Sequence, residues 1–177
     1  LHLSIRRQRQ MCIRDSMWDG SAIPIDENLV IAQELLEKAK NAHVILEAEI
    51  GVVGGEEDGV QAKAGANLYT SPEDFEKTID ALGTGEKGRY LLAATFGNVH
   101  GVYKPGNVKL RPEVLLEGQK VAQKKLGLGE DEYAFDFVFH GGSGSEKEKI
   151  EEALGYGVIK MNVDTDTQSV SYTHLTL

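Results

Sequence analysis

The sequence predicts an α/β protein built on a parallel sheet. Four short apolar runs, at residues 44–50, 90–96, 135–139 and 158–163, alternate with segments of helical periodicity. The runs are almost wholly apolar, which is typical of parallel strands covered on both faces. Polar side chains that can bind ligands or transfer protons follow the end of each run. Parallel sheets bind their ligands at these carboxyl ends of the strands. No long linker divides the chain, so we expect one α/β unit with right-handed crossovers.

Composition excludes several classes of protein. The chain has 177 residues, 41% hydrophobic residues, a net charge of −9 and a single cysteine, Cys12. One cysteine rules out an internal disulfide framework and a Cys-based zinc ribbon. No apolar run approaches the roughly 18–20 residues that span a bilayer. The acidic balance argues against a nucleic-acid surface. We therefore expect a cytoplasmic protein with neither nucleic acid nor membrane as a partner.

The two ends differ from the middle. Residues 1–16 and 169–177 have no periodicity, no helix caps and no continuity with their neighbours. The basic N-terminal segment also lacks the apolar stretch of a secretory signal. We expect both segments to be non-native flanks, and residues 17–168 to form the domain.

The first half of the domain begins with a helix. Residues 26–39 place their leucines near one stripe, and the apolar run at 44–50 ends at Gly51. Ser71 then predicts an N-cap, with Pro72 in the first turn of a helix that Gly83 closes.

The second half repeats the pattern. A strand at 90–96 precedes a helix at 112–126, and a strand at 135–139 precedes a helix that ends near Gly155. Ser145 and Glu148 predict a capping box for that helix. The run at 158–163 is the fourth strand.

Two histidines stand after strand ends, and glycine follows each of them. His100 and His140 converge on one metal ion if their strands are neighbours, because adjacent strands lie about 4.8 Å apart. The alternative is two histidines that are merely hydrogen-bonded at strand ends. Imidazoles with carboxylates and no thiols suit Zn²⁺, but a catalytic zinc needs a third protein ligand.

Three loops carry further chemistry. The glycine-rich turn at 141–145 leads toward a helix N-terminus and favours a phosphate, although a flexible connector has the same composition. Residues 162–167 place hydrogen-bond donors and a carboxylate next to this loop. The alternative is that these side chains only stabilise a turn. The acidic loop at 54–59 is either a solvated turn or a lid that carries a carboxylate base.

Taken together, these segments resemble the class II, metal-dependent fructose-1,6-bisphosphate aldolases of type A, and actinobacterial members most. The matching stretches run in order over residues 17–168: MWDGS (17–21), LEAEIG (46–51), GGEEDGV (54–60), LYTSP (68–72), ATFGNVHGVYKPGN (94–107), FHGGSGS (139–145) and KMNVDTDTQ (160–168).

The resemblance implies a partial (β/α)8 barrel, roughly strands five to eight with their helices. It also implies reversible cleavage of fructose 1,6-bisphosphate to dihydroxyacetone phosphate and glyceraldehyde 3-phosphate, through a zinc-stabilised enediolate, in glycolysis and gluconeogenesis. Sugar phosphates would be the ligands, and the full-length protein would be a homodimer.

The resemblance also assigns roles to residues. Glu57 would take the proton from dihydroxyacetone phosphate, and Asn162 would hold substrate oxygens. The metal ligands would be His100 and His140, with Glu49 and Asp19 as acidic positions of less defined role. The phosphate cradle would comprise Gly101, Gly141, Ser143, Asp164 and Thr165, while carbonyls of Val99, Gly101 and Gly141 would hold Na⁺ or K⁺.

The sequence departs from the family at its ends. The third zinc ligand, an acid/base aspartate and a phosphate-binding arginine match nothing here, and Ser16 stands where many relatives have histidine. We therefore expect a fragment that is inactive and unstable by itself. Two alternatives remain open: a non-catalytic phosphate- or metal-binding half-barrel, and a related sugar-bisphosphate aldolase.

Overall fold

A computed structural model describes residues 15–51, 54–57, 60–61, 68–100 and 109–163, with the backbone alone at 15, 54–57, 60–61 and 99–100. Its helices and strands follow one another in the order β1 (Asp15–Asp19), α1 (Ile25–Asn41), β2 (Ile45–Ile50), β3 (Gly54–Glu57), β4 (Val60–Gln61), α2 (Pro72–Leu82), β5 (Tyr90–Ala94), β6 (Val99–His100), α3 (Glu113–Leu126), β7 (Phe137–Phe139), α4 (Lys147–Gly155) and β8 (Val158–Met161).

Five of these strands form one parallel sheet in the order β1-β2-β5-β7-β8. The four predicted strands lie in this sheet in sequence order, as strand–helix alternation leads one to expect. A small second sheet has the order β4-β3-β6, in which β3 pairs antiparallel with β4 and parallel with β6. Part of the acidic loop predicted at 54–59 is therefore strand.

The helices pack on one face of the five-stranded sheet. Their buried side chains form a single core with the strand residues that point to that face. Phenylalanines dominate this core: Phe75 of α2 contacts Phe135 and Phe137, and Phe96 contacts Phe139. Within the described residues, none of these helices is both long enough and apolar enough to cross a membrane.

On the opposite face of the sheet, β2 carries charged residues where we expected apolar ones. Alternate residues of a strand point to opposite faces, so Leu46, Ala48 and Ile50 enter the core while Glu47 and Glu49 point away from it. Both carboxylates are nevertheless buried, with 1% and 4% of their surface exposed. Buried carboxylates need partners, and these partners define the site described below.

The first strand was not predicted. Strand β1 pairs in register with β2, with Met17 opposite Glu47 and Asp19 opposite Glu49. It begins at Asp15, two residues inside the segment that we interpret as a flank. The sheet therefore has five strands, and the domain boundaries stay a prediction.

One of the two predicted N-terminal helix caps is confirmed. Ser71 accepts a hydrogen bond from the Asp74 amide, and the Asp74 carboxylate accepts one from the Ser71 amide, which completes a capping box. The capping box predicted at Ser145 and Glu148 is wrong. The Ser145 amide instead donates to the Gly142 carbonyl in a turn, and α4 begins two residues later without a side-chain cap.

Candidate metal centre

The site lies at the carboxyl end of β2, β5 and β7, on the face away from the helices. Strands β5 and β7 are direct neighbours, as the convergence of the two histidines requires. Asn98 joins their ends: its Oδ1 accepts from the Phe96 amide at 2.9 Å, and its Nδ2 donates to the His140 carbonyl at 3.0 Å. Asn98 is 2% exposed, so this link is shielded from water.

His140 lies between two carboxylates of β2. Its Nε2 is 2.7 Å from Glu47 Oε1, and its Nδ1 is 3.3 Å from Glu49 Oε2. The imidazole is 3% exposed. The glutamates are two positions apart in the strand, so both side chains lie on one face and reach opposite edges of the same ring.

Lys160 of β8 completes the cluster. Its ammonium group forms a short ion pair with the second oxygen of Glu47. Burial by itself favours the neutral acid, but the hydrogen bonds and charges of His140 and Lys160 outweigh it and lower the pKa of Glu47. Glu47 is therefore an anion at neutral pH, although it is almost wholly buried.

The same contacts act on the histidine in the opposite direction. Burial disfavours the imidazolium, but the hydrogen bond to Glu47 and the contact with Glu49 outweigh that effect. Together they raise the pKa of His140 to about 9. The pocket thus favours positive charge on or beside this ring.

The distances fit a metal ion between His140 and Glu49. Two ligand atoms bound to a tetrahedral zinc lie about 3.4 Å apart. The separation of Nδ1 and Glu49 Oε2 matches this value and exceeds the usual range for a hydrogen bond. Among the side chains that the structure describes, no group of three His, Cys, Asp or Glu residues is arranged to hold a metal. This pair has two atoms of the kind that bind zinc, one fewer than the protein ligands of a catalytic zinc.

Side chains of β1 and α1 hold the backbone at Glu49 by hydrogen bonds. Asn28 is buried, donates to the Glu49 carbonyl at 2.9 Å and accepts from the Trp18 indole at 2.8 Å. A Cβ at Gly20 would lie 2.0 Å from Asn28 Oδ1, so glycine is needed there. Asp19 is exposed and on the same face as Glu49, and its carboxylate accepts from the Ser21 amide.

Two predicted site residues are described by their backbone only. His100 lies in β6, opposite Gly55 of β3, and Glu57 ends β3. The short sheet thus places the chain segments of the predicted ligand and the predicted base side by side. Val99 also lies in β6, opposite Gly54.

The predicted phosphate loop is partly described. Gly141 has φ +61°, a conformation that favours glycine, and Ser143 is half-buried. Asn162 is anchored by its backbone, which donates to the Phe139 carbonyl at 2.8 Å and accepts from the Gly142 amide at 3.0 Å. Gly101, Asp164 and Thr165 lie outside the described residues.

Sequence reasoning did not assign Glu47, Lys160 or Asn98 to the site. Glu47 and Lys160 are 113 residues apart, so no local spacing joins them. One signal was available: two glutamates alternate with apolar residues in a strand that otherwise reads as buried. Charges in such a place require partners across the fold.

Comparisons with known proteins agree with this architecture. A family model described as "Fructose-bisphosphate aldolase class-II" matches residues 4–176. Fructose-bisphosphate aldolase of Corynebacterium glutamicum is 89% identical over 152 residues, which are 86% of this chain and 44% of the relative. The enzyme of Mycobacterium tuberculosis strain H37Rv is 76% identical over the same length.

A solved structure gives the same result. The crystal structure of fructose-bisphosphate aldolase from Campylobacter jejuni superposes with a TM-score of 0.71 at 44% identity, covering 90% of this chain and 44% of that chain. The chain thus spans less than half the length of these relatives. The predicted partial (β/α)8 barrel is confirmed, and the chain belongs to the class II fructose-bisphosphate aldolase family.

Proposed function

We propose that this chain is part of a zinc-dependent aldolase that cleaves fructose 1,6-bisphosphate reversibly into dihydroxyacetone phosphate and glyceraldehyde 3-phosphate. The observation that carries the proposal is His140, buried between Glu47 and Glu49 at the carboxyl end of the sheet. Parallel α/β sheets bind ligands at this end. Membership of the family supports the substrate.

In this proposal His140 and His100 hold zinc, with Glu49 beside them. A third histidine comes from the part of the barrel that this chain does not span, together with an acid/base aspartate. Asp19 is an acidic group near the metal. The bound metal supplies a Lewis acid that polarises a carbonyl oxygen.

The chain's own residues bind substrate and move a proton. Glu57 removes the proton from the carbon next to the carbonyl of dihydroxyacetone phosphate, and the backbone pairing of β3 with β6 supports its closeness to His100. Asn162 holds substrate oxygens from the loop that its backbone anchors. Gly101, Gly141, Ser143, Asp164 and Thr165 hold a phosphate group, beside a monovalent cation at the carbonyls of Val99, Gly101 and Gly141.

The family resemblance supports the remaining features. We propose a homodimeric enzyme of glycolysis and gluconeogenesis, located in the cytoplasm, with sugar phosphates as its substrates.

The test uses a completed chain, in which residues 17–168 replace their counterpart in the Corynebacterium glutamicum relative. We expect it to release triose phosphates from fructose 1,6-bisphosphate and much less from the C4 epimer. His140→Ala should abolish cleavage and zinc retention, because it removes a buried ligand. Glu37→Ala, an exposed change on α1, serves as the control and should alter neither.

Three results would contradict the proposal. Cleavage that His140→Ala leaves intact would remove His140 from the site. Preference for the epimer would indicate a related aldolase of different stereospecificity. Zinc and phosphate binding without cleavage would indicate a binding module.

A further inference from the structure

The two carboxylates that flank His140 contact its ring at different distances. Glu47 Oε1 is 2.7 Å from Nε2, which is a normal charge-assisted hydrogen bond. Glu49 Oε2 is 3.3 Å from Nδ1, which is a longer contact between the carboxylate and the ring. The Nε2 edge of the ring is therefore held more closely by its carboxylate than the Nδ1 edge.

The protonation of the two ring nitrogens decides which of them can bind a metal. A neutral histidine has one N–H and one lone pair, and a metal binds the nitrogen with the lone pair. If Nε2–H donates to Glu47, the lone pair is on Nδ1 and faces Glu49. Carboxylates that accept from a ligating histidine in this way fix its tautomer and ring orientation.

Glu47 is itself held in place. Its second oxygen is paired with Lys160, and the side chain is 1% exposed. Lys160 lies opposite Val138 in the β7–β8 pairing. Val138 is two residues before His140, which follows the end of β7. The hydrogen-bonded chain from Lys160 through Glu47 to His140 therefore joins β8, β2 and β7 across the face of the sheet.

We propose that Glu47 is a positioning residue, which fixes the His140 ring with Nδ1 toward the metal while Lys160 fixes Glu47. This inference rests on the proposed function, because it requires His140 to be a zinc ligand. It assigns Glu47 no contact with the substrate. Glu49, two residues further along the strand, lies on the metal side of the ring.

The test measures zinc affinity of the completed chain by competition with a chromogenic chelator. Glu47→Ala removes the carboxylate that contacts His140 Nε2. Glu47→Asp keeps the carboxylate, but its side chain is one methylene shorter and places the charge farther from the ring. We expect each to weaken zinc binding about 10- to 100-fold, as loss of such a supporting contact does in other metal sites. Glu37→Ala and Glu37→Asp are the matched controls on α1, and both should bind zinc like the parent.

A second readout separates positioning from general stability. In the zinc-loaded parent, the His140 Nε2 proton should be protected from exchange and visible in imidazole N–H spectra. In Glu47→Asp it should exchange with solvent. If Glu47→Ala fails to fold, the affinity and the exchange of Glu47→Asp decide the question.

The outcomes distinguish the two proposals. Parent-like zinc affinity in Glu47→Asp, or a His140 proton on Nδ1 in the zinc-loaded parent, would overturn the role of Glu47 alone. A parent that binds no zinc would overturn the proposed function and this inference with it.

Discussion

Asn98 shows how single residues hold the site together. Its side-chain amide satisfies the Phe96 amide and the His140 carbonyl, and both bonds are buried. These bonds link the end of β5 to the start of the loop that carries the histidine. The position of the imidazole therefore depends on a residue that does not touch it.

We expect Asn98→Ala to lower the free energy of unfolding of the completed chain by about 2–4 kcal/mol, because two buried backbone groups lose their partners. Urea denaturation measures the change. Gln123→Ala is the control, since its side chain also donates to two carbonyls, those of Glu130 and Glu132, but at an exposed position. Water replaces those bonds, so a cost as large as that of Asn98→Ala would contradict the account.

The residue scale also shows what the sequence does not reveal. The histidines were recognisable because glycine follows each of them at a strand end. The partners of His140 were not, because Glu47 lies 93 residues away and Lys160 reaches Glu47 from another strand. Burial and pairing across a sheet are properties of the fold, and a single sequence indicates them only by charges at apolar positions.

At the scale of elements, apolar periodicity predicted the four helices and four of the five strands of the main sheet. It missed β1, whose residues DSMWD contain no apolar run. That strand is defined by its pairing with β2 and by Trp18, which donates to Asn28. The helix starts were likewise predicted only in part. Ser71 caps α2 as expected, whereas a backbone turn at Ser145 moves the start of α4 to Lys147.

This difference predicts unequal effects of one substitution at the two serines. We expect Ser71→Ala to cost about 1 kcal/mol, because the Asp74 amide loses its capping acceptor. Ser145→Ala should cost only a few tenths of a kcal/mol, because α4 has no side-chain cap. Urea midpoints of the two variants check this, and equal losses would contradict the observed caps.

Helix packing gives a second prediction for elements. A Cβ at Gly118 of α3 would lie 2.8 Å from the ring of Phe75, which is fully buried in α2. We expect Gly118→Ala to destabilise the protein by about 1–3 kcal/mol despite its better helix propensity.

Gly155, the last residue of α4, is the matched control. It has no atom within 4 Å of an added Cβ, so Gly155→Ala should be neutral or stabilising by up to about 1 kcal/mol. Thermal unfolding compares the two variants. Stabilisation by both would show that α2 and α3 are not packed as closely as described.

At the scale of the whole molecule, the chain corresponds to one part of longer relatives. It contributes a sheet whose helices cover one face and whose other face carries buried Glu47, Glu49 and His140. It spans 44% of the Corynebacterium glutamicum relative. Under the proposed function, this part supplies His140 and His100 as ligands, and the third ligand that a catalytic zinc needs lies outside it.

The proposed function makes the carboxyl end of this sheet a zinc-dependent aldol site. The most direct measurement is the rate at which the completed chain cleaves fructose 1,6-bisphosphate before chelation, after zinc removal and after zinc is restored. The account predicts full activity, loss of activity and recovery, with one zinc bound per chain at recovery. Cleavage that persists in the zinc-free protein would contradict it.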